Sequence, residues 1–209
     1  MSEKSEIVKL TSAEIAALWT SYMNINVVIC FMAHYLETCD DPDILAILKE
    51  SNQLARKHET ELEQLFTKEK IVIPTGFKVE KHVVSHAPKL FSDVFYIQSV
   101  LQMSQFGVAT HTANLTISAR EDIRKMFKKF IDDVSDSYNK VVNCMQEKGI
   151  YIRMPSMNYP SDVDFINKES ILTGWFGRKR PLLAIEVTHL ALMPIKIIWE
   201  KSYVLDFHK

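Results

Sequence analysis

The sequence predicts an all-α protein: a four-helix bundle of two helical hairpins joined by a long crossover, with a further helix appended at the C-terminal end. Three observations lead there. Long stretches place apolar residues at steps of three and four, the period of one helix face. Glycine and proline are few, five and seven in 209 residues, which disfavours sandwiches, propellers and glycine-rich nucleotide sites. The chain also aligns with itself. Asp43-Ile44 falls on Asp122-Ile123, Leu48 on Phe127, Leu62 on Val141, and Ile71-Val72-Ile73 on Ile150-Tyr151-Ile152.

The first helix is expected from Leu10 to Cys39. Thr11 is its N-cap and Glu14 is placed to close a capping box. Ile15, Leu18, Trp19, Tyr22, Ile25, Asn26, Ile29, Met32, Ala33 and Leu36 then form its inner stripe. Asp40-Asp41-Pro42 breaks this helix, and Pro42 suits the first turn of the next. The second helix buries Ile44, Leu48, Ser51, Leu54, Ala55, His58, Leu62 and Phe66, and ends near Lys70. Ile71 to Gly76 reads as a short extended piece, and residues 77–88 as an aperiodic linker. The third helix is expected to turn Val94, Ile97, Leu101, Ser104, Gln105, Val108, His111 and Leu115 inward. Ser118-Ala119-Arg120-Glu121 is the next start signal. The fourth helix follows with Ile123, Phe127, Phe130, Val134, Tyr138, Val141 and Met145, stopped by Gly149. A linker of about 20 residues at roughly 3.3 Å each can run the length of a helix of about 28 residues, near 42 Å. The crossover therefore fits.

These elements divide the chain into a bundle at 1–156, a linker at 157–181 and a helical restart at 182–209. The restart echoes the first helix, since Glu186-Val187-Thr188-His189-Leu190 matches Glu14-Ile15-Ala16-Ala17-Leu18. Pro194 must kink it. Its apolar residues Leu190, Ile195, Ile198, Trp199 and Leu205 need cover, from the chain's own bundle or from a second copy, and a homodimer is the favoured expectation.

Charge and cysteine content bound the setting. Twenty-five basic and 26 acidic residues leave a net charge of -1, which removes the simple electrostatic case for nucleic acid or an anionic membrane. No uninterrupted run of about 18 apolar residues occurs, so no membrane span is expected. The charged N-terminus lacks a signal-peptide core. Cys30, Cys39 and Cys144 lack metal or redox spacing and read as reduced thiols of a cytoplasmic protein.

The stretches LTSAEIAALWTSY, AHYLE, KHETELEQLF and APKLFSDVFY, the GIYIRMP tail and the GRKRPLLAIEVTHL restart resemble a family of ferritin-like proteins of unknown function from spore-forming bacteria. More distantly the chain is similar to spore coat protein F. The resemblance spans most of residues 10–190. It implies a ferritin-like bundle, spore association and spore-coat protein partners, and it brings no catalytic residues with it. Family members usually look like two tandem bundles, whereas this chain carries only the first helix of a second.

Ferritin-like bundles often hold two irons or manganeses. Such a site needs a carboxylate from each of two helices and Glu-x-x-His from each of the other two. The inward mid-helix positions here are Tyr22, Asn26, His58, Ser104, Gln105, Val134 and Tyr138, none of them a carboxylate. Glu59, Glu63, Asp132, Asp133 and Asp136 fall mostly on outer faces, and Glu61 lies at the edge of the second stripe. His58 and Glu61 are therefore the weak metal candidates of the bundle. Glu186 and His189, the one Glu-x-x-His pair, are those of the tail. The expected cofactor is none, with iron or manganese as the alternative. His58 could instead share a polar pocket with Tyr22, Asn26 and Tyr138, or simply be a buried histidine satisfied by one of them. His111 reads as a core-edge histidine. The leading expectation is a non-enzymatic structural or interaction protein that self-assembles through its C-terminal helix. A metal-dependent ferritin-like oxidase and a small-molecule-binding bundle are the alternatives.

Overall fold

The structure, a computed structural model, describes residues 8–156, 159, 185 and 187–190. Two compact units divide the chain, Met1–Tyr151 and Ile152–Lys209. Of the second, Ile185 and residues 187–190 are helical; Glu186 and most of the linker and restart expected at 157–209 lie outside the described residues. The described residues hold helices and no strands.

The first unit contains α1 (Ser12–Thr38), α2 (Pro42–Glu69), the single turn α3 (Val79–His82), α4 (Asp93–Ile117) and α5 (Glu121–Glu147). Local chemistry sets most boundaries. Thr11 and Glu14 form the capping box of α1. Asp41 caps α2 by accepting from the N–H groups of Asp43 and Ile44, with Pro42 in the first turn. Gly149 ends α5 at φ 69°, a left-handed conformation that suits glycine. Lys70 takes the same conformation after α2 at φ 57°, a position that carries no glycine signal.

One expected start is corrected. Ser118 does not cap α5: it ends α4, and its Oγ donates to the Asn114 carbonyl at 2.7 Å. The helix start at Arg120 has no side-chain cap of its own. Its free N–H groups are met from across the bundle. Glu14 Oε1 accepts from Ala119 N at 2.9 Å and Arg120 N at 2.8 Å, while Oε2 accepts from Thr11 N at 2.7 Å and Thr11 Oγ1 at 2.9 Å. One carboxylate thus serves two helix starts, where the peptide dipoles also favour negative charge. Burial alone would raise the Glu14 carboxyl, but the backbone donors of Arg120, Thr11 and Ala119 hold it below the usual range.

Contacts at the helix ends fix the topology. Arg120 grips the Glu69 carboxylate at 2.8 and 2.9 Å, so the end of α2 lies beside the starts of α1 and α5. At the opposite end Asp93 accepts from the N–H of Asp41, and Lys148 binds Asp41 and Asp43. Hence α1 and α5 run one way, α2 and α4 the other, and residues 70–92 travel the full length of the bundle. This is the crossover expected from the sequence. Gly76 on that crossover is buried against Asn26 of α1, where a Cβ would collide with the Asn26 carboxamide.

Two apolar clusters fill the interior. Leu18, Tyr22, Leu62, Phe66, Ile123, Phe127 and Phe130 pack near one end, and Met32, Tyr35, Ile44, Leu48, Tyr96, Ile97 and Met145 near the other. The amphipathic α2 and α5 bury the stripes expected of them. In α4 the expected stripe is shifted: Tyr96, Ser99, Val100 and Asn114 are buried, whereas Gln105 is exposed and Val94 is 47% exposed. That helix mixes apolar with small uncharged polar residues on every side and has Asp93 as its only Asp, Glu, Lys or Arg, so periodicity gives its inner face poorly. By length and composition α1 could cross a bilayer, although no 18-residue apolar run is uninterrupted; in this fold it is a core helix packed on α2 and α4.

Candidate functional site

Tyr22, Asn26 and His58, singled out in the sequence, meet polar partners from neighbouring helices. Tyr22 donates its hydroxyl to Glu63 Oε1 at 2.9 Å. Burial, and then the bond to Glu63, push that phenol up to about 12. One turn on, Asn26 Nδ2 donates to Glu59 Oε1 at 2.7 Å. Glu59 is half-buried, and its carboxyl is raised by burial first and by the neighbouring Glu63 second. The sequence stripes put Glu59 and Glu63 on the outer face. They lie beside the stripe, and their side chains are long enough to reach the polar groups of α1.

His58 faces the other flank. Its ring stacks on Phe130 with centroids 3.9 Å apart, and Nε2 donates to Asp133 Oδ2 of α5 at 3.0 Å. Asp133 also takes Lys57 at 3.0 Å. Burial lowers the His58 pKa against the opposing pull of Asp133, so the imidazole is neutral at ordinary pH. Burial would raise Asp133, but its bonds to His58 and Lys57 keep it low. Tyr138 packs with the cluster around Met32 and Tyr35. The four residues of the expected polar pocket are therefore distributed: Tyr22 and Asn26 bind α2 carboxylates, His58 binds α5, and Tyr138 belongs to the other cluster.

A cavity of about 110 Å³ opens beside His58. All four long helices line it. The surface it exposes is mostly apolar, from Ile25, Met32, Val100, Met103 and Val134 among others, and its polar members are His58, His111, Asn24, Thr110 and four serines, Ser21, Ser51, Ser104 and Ser137. Of the four pocket residues named from the sequence, only His58 lines it. His111, a core-edge histidine by its place on the sequence stripe, is buried at 6% exposure, and its ring lies 6.4 Å from that of His58. Its Nδ1 has no hydrogen-bond partner. Burial, and then the neighbouring His58, bring its pKa down to about 4. The signal for it was its place on the α4 stripe opposite His58.

The residues present do not fit a di-metal centre. Glu59 and Glu63 point to α1, Asp133 to α2, and α4 offers serine and histidine at that height. Glu61 takes Lys129 on the surface. Among the described residues no group of three or more His, Cys, Asp or Glu side chains is placed to share a metal ion. His189 is exposed in the second unit, and its partner Glu186 lies outside the described residues. The three thiols are half-buried and free, and burial pushes all three up, Cys39 to about 11.

Known structures share this fold at low identity. A candidate spore coat protein of Bacillus halodurans C-125 superposes with a TM-score of 0.63 at 19% identity, covering 73% of this chain and 98% of its own. A conserved hypothetical protein of Mycobacterium tuberculosis gives 0.53 at 12%, covering 62% and 95%. A two-domain protein of Anabaena variabilis with DJ-1/ThiJ/PfpI-like and ferritin-like domains gives 0.53 at 15%, covering 78% of this chain and 48% of its own. No curated protein matches the sequence. The fold is thus a helical bundle of ferritin-like type. The family model for proteins of unknown function DUF3231 matches residues 2–163, and the chain belongs to that family.

Proposed function

We propose that this protein is a non-enzymatic structural or interaction protein of the spore, a ferritin-like scaffold that assembles with copies of itself through residues 182–209. The observation that carries the reading is the pairwise use of the interior polar groups. Glu63 with Tyr22, Glu59 with Asn26, Asp133 with His58, and Glu14 with two helix starts each join neighbouring elements of the bundle. An oxidase centre would instead turn these ligands toward a common point. Paired in this way they specify which helix lies beside which, a structural use of buried polarity.

The likeness of fold to a candidate spore coat protein supports the setting. A repeated hairpin supports the assembly. Helices α1 and α4 end at Thr38 and Ile117, α2 and α5 begin at Pro42 and Glu121, and the N–H groups of Ile71 and Ile150 return to Phe66 and Met145, all in one register. The sequence echo of that unit at 182–209 carries leucines, isoleucines and a tryptophan, apolar side chains that need cover.

Two measurements test this. Immunoblotting of sporulating cells should find the native protein in the coat fraction of purified spores; recovery solely in the soluble fraction of vegetative cells contradicts the spore role. Sedimentation should show an oligomer for the full chain and a monomer after deletion of residues 178–209. An unchanged oligomeric state refutes assembly through the tail.

A further inference from the structure

We infer that the cavity between the four long helices is a binding site for a small, neutral, ring-shaped molecule bearing one hydrogen-bonding group, with His111 as the residue that recognises that group. This goes beyond the scaffold role and does not depend on it.

Size, lining and unmatched polarity point the same way. About 110 Å³ is room for several waters, since one water needs only about 10–15 Å³ by this measure. Waters there would find little to bind. Each wants two to four polar partners, and the surface turned to the cavity is mostly apolar, even though small polar residues such as Ser21, Ser104, Thr110 and Ser137 lie among the lining. Replacing poorly held water by an apolar ring is favourable. An apolar cavity of roughly 150 Å³ takes benzene. Met32 and Met103, unbranched and adaptable, let this smaller one adjust to a single ring.

Charge is excluded by what surrounds the space. The groups facing His111 are His58, Phe127 and Phe130, and the His58 edge is already committed to Asp133. No carboxylate or ammonium lines the cavity, so an ion would enter without a counter-charge. His111 has no hydrogen-bond partner for its buried Nδ1 and stays neutral, so its ring can offer one donor or one acceptor. Ser51 on the facing helix is likewise unmatched at Oγ. Phe106 of α4, 60% exposed and also part of the lining, marks where the cavity meets the surface.

The test uses the full chain with methyl-13C methionine, titrated with phenol and, separately, with benzene. Met32 and Met103 report from the cavity wall. The expected result is saturable shifts of these two methyls, with phenol bound more tightly than benzene. In His111→Phe the phenol preference should fall by about 3–10-fold, the loss of one hydrogen bond. Ser51→Leu fills the space from α2 and should abolish the shifts while keeping the fold. Should that variant melt early, Ser104→Leu fills it from α4. Absence of shifts up to the solubility limit overturns the inference, as does binding that survives both filling variants. Binding that does not distinguish phenol from benzene overturns the role of His111.

Discussion

Glu14 gives the sharpest test of how the bundle is pinned. The carboxylate is 0% exposed and accepts four hydrogen bonds, two from Thr11 and two from the N–H groups of Ala119 and Arg120. Glu14→Gln keeps its size and shape but turns one acceptor oxygen into a donor. Whichever way the amide lies, two N–H or O–H donors then face an NH2 group. Stranding a buried donor costs about 1–3 kcal/mol, so the substitution should destabilise by about 3 kcal/mol. For a domain of this size that lowers the Tm by roughly 6–12 °C. Urea unfolding followed by circular dichroism reads the change at pH 7. The pH dependence supplies a second arm. The folded carboxyl titrates below the ordinary 4.5, so the unfolded chain binds more protons in acid, and this stabilisation is present above about 4.5 and lost below it. The variant should lack that component. A loss under 1 kcal/mol, or an unchanged acid limb, would refute the bridge.

Other expectations follow from the interior. His111 has an unfolded pKa of 6.5 and a folded one of about 4. The unfolded chain therefore binds more protons between those values, and stability, complete above 6.5, should fall by about 3 kcal/mol as the pH drops to 4. His111→Phe should flatten that segment of the curve; an unchanged slope contradicts a buried neutral imidazole. Gly76→Ala should displace the Asn26 carboxamide and break its bond to Glu59, costing about 1–3 kcal/mol. Unaltered stability in urea would mean that the crossover does not press on α1 there.

The bundle was legible where local chemistry and periodicity agree. Thr11 with Glu14, Asp41 with Pro42, and Gly149 are signals within a few residues of the boundaries they set. The stripes of α2 and α5 alternate cleanly with charged outer faces. In α4 apolar and uncharged polar residues are mixed on every side, so its period points Val94 and Gln105 inward and misses Tyr96 and Ser99. Long-range uses of a residue were hidden as well. Nothing near Glu14 in the sequence announces donors at Ala119 and Arg120. Flanking positions were the other difficulty, because Glu59, Glu63 and Asp133 belong to the outer faces by angle yet reach the interior by length. The stripe placed His58 and His111 inside, but the cavity between them depends on small residues from four helices, which no single helix period reveals.

The central claim is that the interior polarity joins helices and does not hold metal. Elemental mass spectrometry of untagged, dialysed protein tests it most directly. The account predicts iron and manganese well below one atom per chain. About two atoms of either per chain would contradict it, and would return Glu59, Glu63, Asp133, His58 and Glu61 to the role of ligands.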